Sequence, residues 1–536
     1  MPPEVRARRL GRLAADERCA ALCDPGTFVR SGARASRSPG TPAGDGVVVG
    51  VGLVDLRAVT VVAMDGRVAR GSLGAVGAAL AADAVRDAVR AGRPVALLVD
   101  CDGAREPEGV PAILATADWL CALADASGHV PLVAAVFGLA GGAAGYGAAL
   151  CDVVAMVRER SFAFVAGPPV VASALGETSD LDALGGTRLH AGTGLAQVLA
   201  DDDRQALDAL RAVLAYLPAA AWTLPPRTAA AAPERDGFAL PAPHATYDVA
   251  DVRRALVDRN SWLPLAAGFG PSVETGFARI DGRPVALVAS QPLALAGAID
   301  AAAAQKLARV VRLAAAYNLP IVTLCDTPGF LPGRAEEARR ILVHGAKVIA
   351  AYAEARRSVP LVAVILRRAV GAGSVLAYGA DLVLALPGAE VLQMGAAAAQ
   401  AARAPDGVAE AARDPASTTP RRPAWPIAPC RPSSCAPSSC ARSAPASRHP
   451  GGDRGAQDEP GPTVSETLLD ALERAARGAR GIRFLVGKDL VRVSYAELAR
   501  DAARIGAALR PATRSAGRCS WRCPTAATRW PASSAR

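Results

Sequence analysis

The sequence predicts an α/β fold in which one ββα-type spiral unit is used twice. Three observations predict it. Hydrophobic residues make up 51 % and aromatic residues 4 % of the 536 residues, and 51 glycines are present, a composition that lets helices sit close to a sheet. Short apolar runs bounded by Gly, Pro and Asp alternate with Ala/Arg/Leu segments, the pattern of buried parallel strands joined by crossover helices. Finally, the chain repeats itself.

The repeat runs through each half in the same order: strand, turn, helix, buried strand, acidic turn, helix, buried strand, Gly turn, helix. The first small-residue turn is Gly71-Ser72-Leu73-Gly74 in one half and Gly297-Ala298-Ile299-Asp300 in the other. After the helix that follows, Arg93-Pro94-Val95-Ala96-Leu97-Leu98-Val99-Asp100 parallels Leu319-Pro320-Ile321-Val322-Thr323-Leu324-Cys325-Asp326. Val130-Pro131-Leu132-Val133 recurs further on as Val359-Pro360-Leu361-Val362. The last helices end in Cys151-Asp152-Val153-Val154 and Ala380-Asp381-Leu382-Val383, separated by the same offset.

Residues 130–151 carry no charge over 22 positions, long enough for a membrane span. The glycines between Gly138 and Gly147 and the equivalent stretch with Arg367-Arg368 argue instead for a strand, a Gly turn and a buried helix, so no membrane segment is expected. The net charge of +10 comes from arginine, with three lysines, and no basic helix or aromatic platform accompanies it; nucleic-acid binding is not expected. Cys19 and Cys23 form one CxxxC without a second pair, and Cys430, Cys435 and Cys440 lack histidine partners apart from His449, so neither zinc nor any other metal is expected. Reduced thiols and the absence of an apolar leader after Met1 fit a cytoplasmic protein.

The turns Gly138-Leu139-Ala140-Gly141-Gly142-Ala143 and Val370-Gly371-Ala372-Gly373-Ser374 sit where a strand feeds a helix. One reading is tight helix–sheet packing. The other is chemical: the first N–H groups of a helix lack acceptors, and two of them converging on one point stabilise an oxyanion. No GxSxG elbow, P-loop or convincing GxGxxG is present, so any chemistry relies on backbone electrostatics and on a substrate that brings its own base.

At these residues the sequence resembles the β subunits of biotin-dependent acyl-CoA carboxylases, the propionyl-CoA and acetyl-CoA carboxylase carboxyltransferases. The resemblance runs through Asp24-Pro25-Gly26-Thr27, Gly71-Ser72-Leu73-Gly74, Gly103-Ala104-Arg105 with Glu108-Gly109-Val110, Ala166-Gly167-Pro168, and Leu184-Gly185-Gly186 with His190. In the second half it is carried by Thr275-Gly276-Phe277, Asp281-Gly282-Arg283-Pro284 and above all Asp326-Thr327-Pro328-Gly329-Phe330-Leu331-Pro332-Gly333 with His344-Gly345-Ala346-Lys347.

The resemblance implies tandem crotonase-like (ClpP/crotonase) domains, residues 1–225 on the acyl-CoA side and 245–400 on the carboxybiotin side, in a ring of dimers with the active site between subunits. It implies that Gly141 and Gly142 donate N–H bonds to the thioester enolate oxygen, and Ala372 and Gly373 to the biotin ureido oxygen. Gly138, Ala140, Gly167, Pro168 and Val375 would surround the substrate. None of Met1, Met64, Met156 and Met394 precedes a lysine, so biotin, as carboxybiotin, would arrive on a carrier from a separate biotin carboxylase/biotin carrier α subunit.

The turn Gly371-Ala372-Gly373-Ser374-Val375 departs from the family's Gly-Gly-Ala-Tyr-Asp, and apolar Val375 suits an uncharged acyl chain. Residues 401–462 are rich in Pro, Ser, Arg and Cys, as in a disordered linker or after a reading-frame error, and the second half is expected to lack its closing helices. Residues 463–536 resemble the opening of an adenylate-forming enzyme, the fatty acyl-AMP ligases, with two amphipathic helices around Phe484-Leu485-Val486 and a Ser494/Glu497 capping box. Two other functions fit the same residues: decarboxylation of a malonyl thioester on the first oxyanion hole, and a catalytically impaired scaffold.

Overall fold

The computed structural model describes residues 13–395 apart from 33, 36–39, 236 and 242–244, together with residue 399 and the backbone of 481–486 and 489–494. The first sheet comprises β1 (Val29–Arg30), β2 (Val47–Val54), β3 (Arg57–Met64), β5 (Val95–Cys101), β7 (Leu132–Gly141), β8 (Val153–Val157), β9 (Phe162–Phe164) and β10 (Val198–Ala200), while β4 (Ser72–Leu73) and β6 (Gly103–Ala104) pair separately. Its order is β1-β2-β3-β5-β7-β8-β10, with β9 beside the far end of β7. The second comprises β11 (Leu263–Pro264), β12 (Val273–Ile280), β13 (Arg283–Ser290), β14 (Ile321–Thr327), β15 (Leu361–Val370), β16 (Leu382–Ala385) and β17 (Glu390–Leu392), ordered β11-β12-β13-β14-β15-β16 with β17 beside β15.

The two sheets repeat each other in register. Strands β2, β3 and β5 map onto β12, β13 and β14 at one constant shift, and β7 and β8 onto β15 and β16 at a slightly larger one. Each sheet opens with an antiparallel hairpin closed by two residues of positive φ, Asp55 and Leu56 (+48° and +63°) or Asp281 and Gly282 (+54° and +75°), a loop that matches the twist of the flanking strands. An aspartate clamps each loop. Asp24 accepts from the Asp55 and Leu56 N–H groups at 3.2 and 2.9 Å, and Asp258 from those of Asp281 and Gly282 at 2.9 and 2.7 Å. The strands after the hairpin pair in parallel, as buried apolar runs require.

The uncharged stretch 130–151 is resolved as β7, a turn and the helix Ala143–Leu150. Along β7 the side chains alternate between two cores. Val133, Ala135 and Phe137 enter a cluster that includes Val273, Phe277 and Val311 of the second half, whereas Leu132, Ala134 and Val136 pack under the helices Ala75–Ala91 and Val110–Ala126. Among the described residues no helix is long and apolar enough to cross a membrane.

The seam between the halves holds polar groups around a cavity of about 150 Å³ lined by Asp152, Gln197, Lys306 and Arg309 among others. Lys306 Nζ donates to the carbonyls of Ala266 (3.1 Å) and Phe269 (2.7 Å), and burial pulls its pKa down to about 8. Asp152 accepts from Leu132 N–H and Tyr317 O–H, both at 2.8 Å, and its duplicate Asp381 accepts from Leu361 N–H at 3.0 Å. Burial pushes Asp152 up to about 6.

A carboxyl with a raised folded pKa stabilises the fold below its unfolded value, and that contribution is lost as pH rises from about 4 through 6. Because Asp152 keeps some exposure at the cavity, the loss should be ~1–2 kcal/mol. Asp152→Asn keeps an oxygen acceptor without the charge. It should be more stable than the parent at pH 7.5 and no more stable at pH 4, as read from urea melts. Equal pH slopes for the two proteins would refute the assignment.

The linker 401–462 lies outside the described residues, as do the two helices expected beyond 463 and the Glu497 half of the capping box. Phe484-Leu485-Val486 lies in β18 (Gly481–Val486), which pairs with β19 (Asp489–Ser494).

Candidate active site

The first Gly turn closes β7. Gly141 ends the strand opposite Phe164 of β9, and Gly142 adopts φ +51° and ψ −118°, open to glycine and strained for any residue with a Cβ. Its N–H donates to the Phe164 carbonyl at 2.9 Å. This corrects the expectation that Gly142 points its N–H outward, because the β7–β9 pairing runs one residue past the strand. The groups left without a helical acceptor are the N–H groups of Ala143, Ala144 and Gly145, since the helix's first bond is Tyr146 N–H to the Gly142 carbonyl at 3.1 Å. Ala140, expected beside substrate, is fully buried in the outer core of the first half, so its side chain cannot reach a ligand.

The second turn follows the same geometry. Gly371 takes φ +56°, occupies the position that the repeat pairs with Gly142, and follows Val370, which pairs with Leu392 of β17. A tight turn, Gly371–Ser374, leads into the short helix Val375–Tyr378. By backbone position Ala372 and Gly373 therefore match Ala143 and Ala144, not Gly141 and Gly142. The two expected pairs are out of step, and sequence could not show it because Gly-Gly-Ala and Gly-Ala-Gly conceal which peptide carries the positive φ. Val375 begins the helix and packs partly against the shared core.

Behind each turn lies an acidic loop in direct backbone contact with it. A Cβ on Gly103 (φ +105°) would stand 3.1 Å from the Gly141 carbonyl oxygen, and one on Gly373 would stand 2.7 Å from the Gly329 Cα. Cys101 Sγ accepts the Gly103 N–H at 3.4 Å, and Thr327 Oγ1 accepts the Gly329 N–H at 3.1 Å, the same local ring with sulfur in place of oxygen. Gly167 caps the helix Pro168–Leu175, and its Cα faces the same Phe164 ring that borders Gly141.

A cleft of about 230 Å³ opens behind the first turn, lined by Gly71, Asp100, Asp102, Gly138, Arg160 and Phe162 among others. It exists because Gly138 has no side chain: a Cβ there would sit 2.1 Å from an Asp100 carboxylate oxygen. The position matching Gly138 in the second half is Arg367, which binds Asp326 and fills the space. Asp100, Arg160, Asp326 and Arg367 were not expected as site residues from sequence, although Asp326 opens the strongest motif of the resemblance and Arg367 was noted for its charge; the acidic turns of the repeat were the available signal.

A buried ion network holds the front of the first acidic loop. Arg105 pairs with Asp45 and, at 3.0 Å, with Glu108, and it donates to the Ser72 carbonyl at 2.7 Å. Glu108 in turn accepts the Ala75 N–H at 2.8 Å and caps the helix Ala75–Ala91. Glu336 does the same for Ala301 at 2.8 Å in the second half. His190 Nε2 bonds the Ala163 carbonyl at 2.7 Å, tying the segment after Gly186 to β9. Among the described residues no group of three or more His, Cys, Asp or Glu is placed to hold a metal ion.

Residues 6–419 match the model of the carboxyl transferase domain family. The chain is 38 % identical over 407 residues to the propionyl-CoA carboxylase carboxyltransferase subunit of Haloferax mediterranei, covering 72 % of this chain and 78 % of that one. It is 35 % identical over 431 residues to the methylmalonyl-CoA decarboxylase α subunit of Propionigenium modestum, covering 77 % and 83 %. The transcarboxylase 12S crystal structure, a hexamer solved with methylmalonyl-coenzyme A, matches with a TM-score of 0.71 and 33 % identity over 76 % of this chain and 83 % of that one.

Proposed function

We propose, from the premise that this chain belongs to the carboxyl transferase family, that it moves a carboxyl group from carboxybiotin to the α carbon of an acyl-CoA thioester. One observation carries the reading: Gly142 and Gly371, equivalent in the repeat, both take positive φ at a helix start, of an α-helix in the first half and of a 3-10 turn in the second. Each turn would offer N–H groups of a helix start to one oxygen. In the first half these would hold the thioester oxygen as it gains charge, and in the second, at Ala372 and Gly373, the ureido oxygen of biotin. A single such donor is worth about 10²–10³ in rate.

Carboxybiotin, when bound, supplies both the carboxyl group and the base for the α proton. The chain's own part is to orient the two oxygens and to keep water from the carbon between them. The open cleft beside Gly138 favours acyl-CoA on the first half, and the Arg367-filled equivalent favours carboxybiotin on the second. Val375 favours an acyl chain without a charge.

The halves would act as domains 1–225 and 245–400, with biotin on the carrier of a biotin carboxylase/biotin carrier α subunit. Both Ile113-Leu114 and Leu342-Val343, also equivalent in the repeat, expose apolar side chains on matching helices, which supports assembly into a homo-oligomer, a ring of dimers. The relative named as a decarboxylase subunit supports a second reading, the reverse transfer out of a malonyl-type thioester.

The full chain, mixed with carboxylated biotin carrier and short or long acyl-CoAs, should transfer labelled carboxyl to at least one of them. Loss of label from a malonyl thioester, with no transfer to any acyl-CoA, would favour the second reading over the first.

A further inference from the structure

Each half carries an aspartate one residue before the end of its central parallel strand, and each aspartate is held by arginine drawn from a different part of the chain. Asp100 is reached from 82 residues upstream by Arg18, whose guanidinium nitrogens stand 3.5 Å from Oδ2. Arg18 is 2 % exposed, lies 4.3 Å over the Phe137 ring, and extends Nε to Asp203 at 3.3 Å. Asp326, fully buried, is reached instead from the neighbouring strand: Arg367 Nε lies 2.7 Å from Oδ2, Tyr247 O–H donates to the same oxygen at 2.9 Å, and Arg368 Nε stands further off, 3.6 Å from Oδ1. Arg367 is itself stacked 4.6 Å over the Tyr247 ring.

Three residues after each aspartate comes the glycine of positive φ, Gly103 or Gly329, that abuts the oxyanion turn. Nothing compliant lies between loop and turn. A Cβ on Gly141 would stand 2.8 Å from the Asp102 carbonyl oxygen, and one on Gly329 would stand 3.0 Å from the Val370 carbonyl oxygen. Backbone packed on backbone passes a displacement of the aspartate to the turn without attenuation, because no rotamer change can absorb it.

We propose that Arg18 and Arg367 are positioning residues, each for one half-site: Arg18, through Asp100, sets the turn that receives the acyl-CoA thioester, and Arg367, through Asp326, sets the turn that receives biotin. The inference rests on the carboxyltransferase reading above. Neither arginine needs to touch substrate. Because the two come from a helix and from a strand, each half-site can be disturbed without the other.

The test uses the full chain, a malonyl-type thioester and free biotin as carboxyl acceptor, with the two KM values measured separately. Arg18→Gln should raise KM for the thioester about tenfold and leave KM for biotin within about twofold, and Arg367→Gln should do the reverse. Lysine should restore part of each loss, less at position 18, where an ammonium cannot span both Asp100 and Asp203. Should a single variant fail to fold, the neutral pairs Arg18→Gln with Asp100→Asn and Arg367→Gln with Asp326→Asn read the same split.

Both KM values rising together, no change in either, or lysine performing no better than glutamine would overturn the assignment and leave the arginines as structural ion pairs. Absence of transfer by the unaltered chain would instead take down the carboxyltransferase reading, and this inference with it.

Discussion

Gly142→Val is expected to lower the carboxyl-transfer rate about 100- to 1,000-fold with the fold retained. The reasoning separates backbone from packing. A side chain at Gly142 has room, since its Cβ would meet nothing closer than the Val165 carbonyl oxygen at 3.6 Å. The obstacle is φ +51° with ψ −118°, which costs an L residue about 1–3 kcal/mol. Rotating the peptide relieves that strain, breaks the Gly142–Phe164 bond and swings the Ala143 N–H away from the point it shares with its neighbours. Gly371→Val should behave alike, with the Gln393 carbonyl oxygen 3.3 Å from the new Cβ. Gly128→Val is the control: Gly128 has φ +75° and open space around it, and it lies before the start of β7, at the opposite end of that strand from Gly142. It should show the strain in a thermal melt and keep full turnover. Full turnover in Gly142→Val would remove the first turn from the chemistry.

Asp45→Ala should destabilise the chain by about 3–5 kcal/mol. Asp45 is wholly buried and pairs with Arg105, itself 5 % exposed, while also accepting the Gly77 N–H at 3.3 Å. Removing it leaves a guanidinium out of water with Glu108 as its remaining carboxylate at 3.0 Å. Breaking a buried pair from one side costs far more than the pair contributes, because the other charge stays desolvated. Urea denaturation should place the parent highest, Asp45→Asn next and Asp45→Ala lowest. A loss below about 1 kcal/mol for alanine would show that Glu108 alone carries Arg105.

The layered α/β duplication was legible because it rests on periodic, local signals. Val130 to Val133 and Val359 to Val362 announce the same strand, and the charges at Arg367-Arg368 ruled out a bilayer for its partner. Asp24 was picked out as part of a motif, yet its task as a clamp on the Asp55-Leu56 loop needed the fold. The site was read at the level of the turn and missed at the level of the peptide. Four small residues in a row, Ala140 to Ala143, satisfy several patterns of φ, and only the pairing with β9 decides which N–H is spent. Arg18 with Asp100, and Arg160 in the cleft, escaped because side-chain partners distant in sequence leave no spacing to detect.

The alternation along β7 also bears on how the chain acquires its structure. Val133, Ala135 and Phe137 are packed in a cluster completed by Phe277, Ile299 and Val311, residues translated much later. The first half, once synthesised, covers this sheet face only in part, with its own helices Ala15–Leu22 and Asp203–Leu214, and the duplicate supplies the rest. The apolar surface left over is of the kind that chaperones bind, so the early half is expected to need protection until the later one arrives.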